Sequence, residues 1–111
     1  MLFYFVRYIL YQSINEYHIG VTIMNVIKKD GSIQNLDIEK IETSIVNASN
    51  DINFSLASSE IKDISKEILT VLNKIRKDNT STYELVGITI KSLIKLGFRD
   101  IAKSYFSHNL I

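Results

Sequence analysis

The sequence predicts an α+β domain that is mostly helical, with an N-terminal β-hairpin packed on a bundle of four helices. Two observations carry this prediction. The dipeptide Asp30-Gly31 separates two short β-like runs, and apolar residues recur at helical spacing through most of the remaining chain. An isolated hairpin is marginally stable in water, so the two strands are expected to pack on the helices.

The hairpin is expected over residues 25–36. Asn25 to Lys29 form the first β-like run, and Ser32 to Leu36 can return as the second strand. Between them, Gly31 tolerates a positive φ and Asp30 tolerates the left-handed region, as tight hairpin turns require.

Asp37 has the residue type and position of a helix N-cap, because its carboxylate can accept a hydrogen bond from the free N–H groups of the first turn. The first helix then presents one apolar face at steps of three and four residues, consisting of Ile38, Ile41 and Ile45. The polar segment 47–53 is expected to end this helix.

The second helix has the clearest amphipathic pattern of the chain. Ser58 or Ser59 is expected to cap it, and residues 76–79 are expected to end it. Its apolar stripe, at steps of three and four, consists of Ile61, Ile64, Ile68, Leu72 and Ile75. Charged residues fall outside the stripe, as expected for a face in contact with water.

Two further helices complete the predicted bundle. Ser81 or Thr82 is expected to cap the third helix, which is apolar almost all round and should therefore be the most buried. Gly97 is a natural helix stop. The fourth helix is expected from about Arg99, with its inward face formed by Ile101, Ala102, Tyr105 and Phe106.

Residues 1–23 differ in character from the predicted domain, which covers residues 24–111. Their apolar run is interrupted by Arg7 and is too short for a membrane span, which needs about 20 apolar residues. Three interpretations remain: translation upstream of a true start at Met24, an element docked on the domain, or an interfacial or partner-binding segment. We favour the first, because a coherent domain begins at Met24.

The composition argues against several function classes. The chain has no cysteine, which excludes a disulfide framework, a zinc ribbon and a thiol nucleophile and fits a cytoplasmic protein. His18 and His108 are isolated, so no metal site is expected. The formal net charge of +1 argues against direct nucleic-acid binding by the whole chain. Neither a phosphate-binding Walker loop nor a nucleophile elbow occurs, so no catalytic residue is predicted.

Three lysines indicate an anion site. Lys28 and Lys29 end the first predicted strand, and Lys40 lies in the first turn of the following helix. The free N–H groups at a helix N-terminus favour an anion, so lysines from two elements beside it could hold a triphosphate. The alternative is that these lysines are only solvated side chains next to a turn.

The segment 26–41 (VIKKDGSIQNLDIEKI) resembles the opening signature of ATP-cone domains, the nucleotide-sensing domains of ribonucleotide reductases and of their transcriptional repressor. Two later segments agree with it. Residues 80–85 (TSTYEL) resemble the Ser/Thr-rich start of the family's third helix, and residues 97–105 (GFRDIAKSY) resemble its closing segment. The resemblance covers about residues 24 to 108.

The resemblance implies a β-hairpin lid over a helical bundle, with ATP or dATP, alone or with Mg²⁺, held between them. By position, Lys28 and Lys40 would contact phosphates, and Asp37 would bond a sugar hydroxyl while capping the helix. The full set of implied binding residues is Val26, Lys28, Lys29, Gln34, Asn35, Leu36, Asp37, Lys40 and Thr82. Two departures from the family pattern are Lys29, where Arg is frequent, and His108-Asn109, where Tyr-Arg is common.

The resemblance also implies a regulatory function. The chain contains neither a reductase catalytic domain nor a cysteine, so we expect a free-standing cone that senses nucleotide and takes part in ribonucleotide reductase or nucleotide-pool control. It would form a homo-oligomer or bind a partner protein, and no membrane contact is expected. The alternative is a degenerate cone that acts as a helical protein-interaction domain without nucleotide. An enzyme that hydrolyses nucleotide is the least favoured hypothesis.

Overall fold

The computed structural model describes residues 24–75 and 78–109, so the interpretations of residues 1–23 lie outside the described part of the chain. Within it, three strands and four helices are formed. The elements are β1 (Asn25–Ile27), β2 (Ile33–Asn35), α1 (Ile38–Asp51), α2 (Ser58–Ile75), β3 (Asn79–Ser81), α3 (Thr82–Lys95) and α4 (Arg99–His108). The predicted α+β class, with a hairpin and four helices, is confirmed.

Strands β1 and β2 form the predicted antiparallel hairpin, in which Val26 pairs with Gln34. Gly31 has a φ of +90°, the conformation that the turn requires. The Asp30 carboxylate accepts hydrogen bonds from the Ser32 hydroxyl at 2.7 Å and from the Ser32 N–H at 2.9 Å. These bonds favour the ionised form and hold the pKa of Asp30 below its ordinary value.

Strand β3 was not predicted from the sequence. It lies on the other side of β1, giving the order β2-β1-β3, and pairs parallel with β1, so that Val26 faces Thr80. A further bond of 2.9 Å runs from the Asn25 N–H to the Asp78 carbonyl oxygen. The sheet thus ties the hairpin to the chain segment that enters helix α3.

Helix α1 begins and ends where the sequence predicts. The Asp37 carboxylate accepts a bond of 3.0 Å from the Glu39 N–H, which confirms Asp37 as the N-cap. The helix ends at Asp51, inside the polar segment 47–53 that was expected to end it. Its last turns are held by packing, because Ala48 and Ser49 are fully buried.

Helix α2 begins one residue earlier than expected. Ser58 is already helical, and the position before it is Ala57, whose N–H donates to the Glu60 carboxylate at 2.8 Å. Neither Ser58 nor Ser59 is therefore the cap. The centre of the predicted stripe is buried, but its last member, Ile75, is 49 % exposed.

Helix α3 is capped by Ser81, whose hydroxyl accepts from the Glu84 N–H at 3.1 Å. As expected, this helix has the largest buried share of the four, with five of its fourteen residues buried, but Ile94 and the following Leu96 are exposed. The helix packs against α2, α4 and β3, and the polar side chains of Thr89 and Ser92 are buried in these contacts.

Gly97, with a φ of +93°, separates α3 from α4 as predicted. Three of the four residues expected on the inner face of α4 are buried, namely Ile101, Ala102 and Tyr105. The fourth, Phe106, is 49 % exposed, because it follows Tyr105 directly and a helix turns by about 100° per residue.

The core lies where the four helices meet the inner side of the sheet. Met24 and Val26 contribute from the hairpin, and the helices contribute the remaining buried apolar residues: Ile45, Ala48, Ile64, Ile68, Leu72, Leu85, Ile88, Leu93, Ile101, Ala102 and Tyr105. The hairpin is thereby fixed on the bundle by its inner face, as its small size requires.

Candidate functional site

A cleft of about 160 Å³ lies between the hairpin and the helices. One wall comes from the hairpin and the residue that follows it, and the others come from the first turns of α1 and α3 and from the end of α4. The lining residues are Val26, Lys28, Gln34, Asn35, Leu36, Asp37, Lys40, Ile41, Ser44, Thr82, Leu85, Val86, Tyr105 and Asn109.

All of the binding residues named from the sequence line this cleft except Lys29. Val26 and Lys28 lie two residues apart in extended chain, so their side chains point to the same face and both reach the cleft. Lys29 lies in the turn that follows and does not line the cleft. Instead, the Lys29 Nζ lies 5.7 Å from the centre of the Tyr83 ring. Lys29 therefore carries its charge beside the first turn of α3 and not on the wall of the cleft.

The structure adds lining residues that the sequence reading did not name: Ile41, Ser44, Leu85, Val86, Tyr105 and Asn109. Helical spacing could have found Ile41 and Ser44, because each lies four residues after a named residue, Asp37 or Lys40. Nothing local could have placed Tyr105 and Asn109 there, since they reach the cleft only through the packing of α4.

The electrostatic character of the cleft comes from two lysines and two helix ends. Lys28 and Lys40 supply full positive charges, and the N-termini of α1 and α3 supply partial positive charges and free N–H groups. Asp37 is the acidic lining residue, and its carboxylate already accepts a bond from the α1 backbone. This arrangement favours an anionic ligand.

The inner side of the cleft is apolar and well buried. Val26 and Leu85 are 5 % and 8 % exposed, and Tyr105 is 4 % exposed. Burial raises the pKa of Tyr105 because the phenolate would lose its hydration, and the Thr89 hydroxyl partly opposes this rise. The Thr82 hydroxyl is buried and makes no hydrogen bond to the described residues.

A second, larger groove of about 940 Å³ lies between the end of α1 and helix α4. Its apolar part includes Phe54 and Phe98, whose rings meet edge to face with centroids 6.1 Å apart. At its rim, the His108 Nε2 lies 2.5 Å from an Asp51 carboxylate oxygen. None of the binding residues named from the sequence lines this groove.

Two further observations concern metals and membranes. Within residues 24–75 and 78–109, no three His, Asp, Glu or Cys side chains come together as a metal site would require. In the same ranges, no helix combines the length and apolar character needed to cross a bilayer.

The fold and the cleft define a small helical domain with a hairpin cover and an anion-favouring cleft. The family model of the ATP cone domain matches residues 24–109, and the chain therefore belongs to the ATP cone family. Domains of this family are regulatory and bind ATP or dATP as effectors. A comparison with curated proteins gave no significant match.

Proposed function

We propose that this chain binds ATP or dATP in the cleft between hairpin and helices and acts as a nucleotide-responsive regulator without catalysing a reaction. The observation that carries the proposal is the convergence of Lys28, Lys40 and the N-termini of α1 and α3 on one cleft. Lysine charge and helix N-termini are the features that phosphate groups bind.

Each lining residue has a role in this proposal. Lys28 and Lys40 bind the phosphates, and Asp37 accepts a bond from a sugar hydroxyl. The Thr82 hydroxyl, which is buried without a partner in the described chain, bonds the ligand directly. The side chains that lie along the nucleotide are Val26, Gln34, Asn35 and Leu36. Ligand pockets usually exceed about 300 Å³, so a bound nucleotide is expected to project beyond the rim of this cleft.

The charge at the cleft suits a regulator better than a phosphoryl-transfer enzyme. Such transfer needs groups that position both a metal ion and an attacking water, and Asp37 is the acidic side chain on the cleft wall. We place the protein in the cytoplasm, in the control of ribonucleotide reductase or of nucleotide pools, and any Mg²⁺ arrives bound to the triphosphate.

Thermal unfolding of the full chain, titrated with ATP, dATP and GTP with and without Mg²⁺, tests the proposal. A ligand that binds only the folded state stabilises it by about 2.7 kcal/mol at 100 times its Kd. In a domain of this size that raises Tm by roughly 10 °C. We expect a saturable rise with ATP or dATP, and the absence of any rise with all three nucleotides would refute the proposal.

The lysine variants locate the site. Lys28→Ala and Lys40→Ala are expected to lose most of the nucleotide-dependent rise in Tm while their Tm without nucleotide changes little. Lys62→Ala, on the exposed face of α2, is the matched control and should keep the full rise. A full rise in both cleft variants would place the nucleotide elsewhere.

A second proposal is self-association or binding of a partner protein through the larger groove. Ile52 and Phe54, on this groove, are 38 % and 40 % exposed although both are large and apolar. Such exposure favours contact with a second copy of the chain. Sedimentation at increasing concentration, with and without nucleotide, should show a larger species that Phe54→Ser removes. A monomer under all conditions would refute self-association.

A further inference from the structure

Asn109 directly follows helix α4 and lines the cleft. Its side-chain Nδ2 donates a hydrogen bond of 2.8 Å to the main-chain carbonyl oxygen of Tyr105. A carbonyl oxygen only accepts, so this bond determines which way the carboxamide is turned. The NH₂ group faces the helix, and the Oδ1 atom remains as an acceptor that makes no hydrogen bond to the described residues, on a residue that lines the cleft.

The end of α4 also differs in sign from the other helix ends at the cleft. Helices α1 and α3 present their N-termini, which carry partial positive charge, whereas α4 presents its C-terminus, which carries partial negative charge. The wall formed by Tyr105 and Asn109 therefore disfavours phosphate. It favours an uncharged group that donates a hydrogen bond.

Resting on the proposed nucleotide site, we infer that Asn109 is a specificity-determining residue of this cleft. Its Oδ1 accepts a hydrogen bond from an uncharged donor of the bound nucleotide, a sugar hydroxyl or the exocyclic amine of the base. The phosphates lie at the opposite electrostatic pole, with Lys28 and Lys40. The ligand is thus oriented by the polarity of the cleft as well as by its shape.

Calorimetric titration of the full chain with four nucleotides tests this inference. The ligands are ATP and three analogues that each lack one donor: dATP, 3′-deoxy-ATP and the triphosphate of purine riboside. A neutral hydrogen bond corresponds to roughly a 2- to 12-fold change in affinity. We expect the wild-type chain to bind one analogue more weakly than ATP by such a factor.

The Asn109→Leu variant should lose the same factor for ATP and bind ATP and that analogue equally. Asn109→Ala is the second variant, and the Tm of each variant without ligand shows that it is folded. Asn73→Leu, on the exposed face of α2, is the control and should keep the wild-type preference.

Two results would overturn the inference, and they can be told apart. If the folded Asn109 variants keep the wild-type preference among the four ligands, Asn109 accepts no hydrogen bond from the nucleotide. The proposed nucleotide site is not contradicted by that result. If the wild-type chain binds none of the four, the proposed function fails and the inference fails with it.

Discussion

The Ser104 hydroxyl donates a hydrogen bond of 2.8 Å to the main-chain carbonyl oxygen of Ala48, and so joins helix α4 to helix α1. Ala48 is fully buried and Ser104 is half-buried, so water competes weakly for this bond. The contact helps to set the position of α4, and α4 forms one wall of the cleft between the hairpin and the helices.

Removal of this bond should weaken the domain. Ser104→Ala is expected to lower the free energy of unfolding by about 1 kcal/mol, the usual contribution of one such bond. Ser107→Ala is the control, because that exposed hydroxyl bonds to Lys103 within α4 itself and should contribute less. Urea unfolding measures the free energy of unfolding of both variants. Equal losses would show that the bond between α4 and α1 contributes no more than a bond within α4.

Substitution by alanine should reduce the free energy of unfolding by very different amounts at two residues of helix α2. Leu72 is fully buried, so Leu72→Ala should lower the free energy of unfolding by about 2–5 kcal/mol. Ile75 is 49 % exposed, and Ile75→Ala should cost less than about 1 kcal/mol. Urea midpoints give the comparison, and similar losses would contradict the burial described for α2.

Substitution by alanine should change the stability of the domain in opposite directions at two glycines. Gly97 has a φ of +93°, where a Cβ is strained, so Gly97→Ala should destabilise the domain by about 1–2 kcal/mol. Gly87 is helical and an added Cβ would meet nothing within 4 Å, so Gly87→Ala should stabilise α3 by about 0.5–1 kcal/mol. Thermal unfolding of both variants checks the signs, and a Tm change of the same sign in both would contradict this account.

The buried hydroxyl of Tyr105 should make the domain less stable at high pH. Burial raises the pKa of Tyr105 above the unfolded value of 10.0, so the folded state favours the neutral phenol. This contribution is fully present below pH 10.0 and is lost as the pH rises through that value toward the folded-state pKa. Tyr105→Phe removes the titrating hydroxyl and should flatten the fall in the free energy of unfolding between about pH 9 and 11.

The control for this pH dependence is Tyr83→Phe, because Tyr83 is 69 % exposed. The informative quantity is the difference between each variant and the wild type in the slope of the free energy of unfolding against pH. An identical slope in Tyr105→Phe and wild type would mean that Tyr105 contributes nothing to the alkaline loss.

Local chemistry in the sequence was enough to predict the hairpin, the Asp37 cap and most of the bundle. Asp30-Gly31 and Gly97 predicted turns, and the spacing of apolar residues in α2 predicted which face of that helix is buried. Strand β3 could not be predicted, because its three residues have no periodicity of their own and are extended only through pairing with β1.

The candidate site was predictable only where it depends on local sequence signals. Residues near the opening motif, from Val26 to Lys40, were named from the sequence and do line one cleft. Tyr105 and Asn109 were not named, because their place at the cleft depends on how α4 packs. Lys29 was also named from the resemblance, but it lies in the turn and does not line the cleft, so a role for it in binding stays a prediction.

The parallel pairing of β1 with β3 has a consequence for the folding kinetics. Asn25 can meet Asn79 only after the chain has turned back through α1 and α2, so this pairing closes a long loop. Pairing of segments so distant in sequence is slow compared with the formation of a local hairpin or helix, because the entropy of closing the loop is lost before the pairing stabilises the fold. Amide exchange at Asn25, which bonds to Asp78, should therefore become protected late in refolding, after the β1–β2 hairpin.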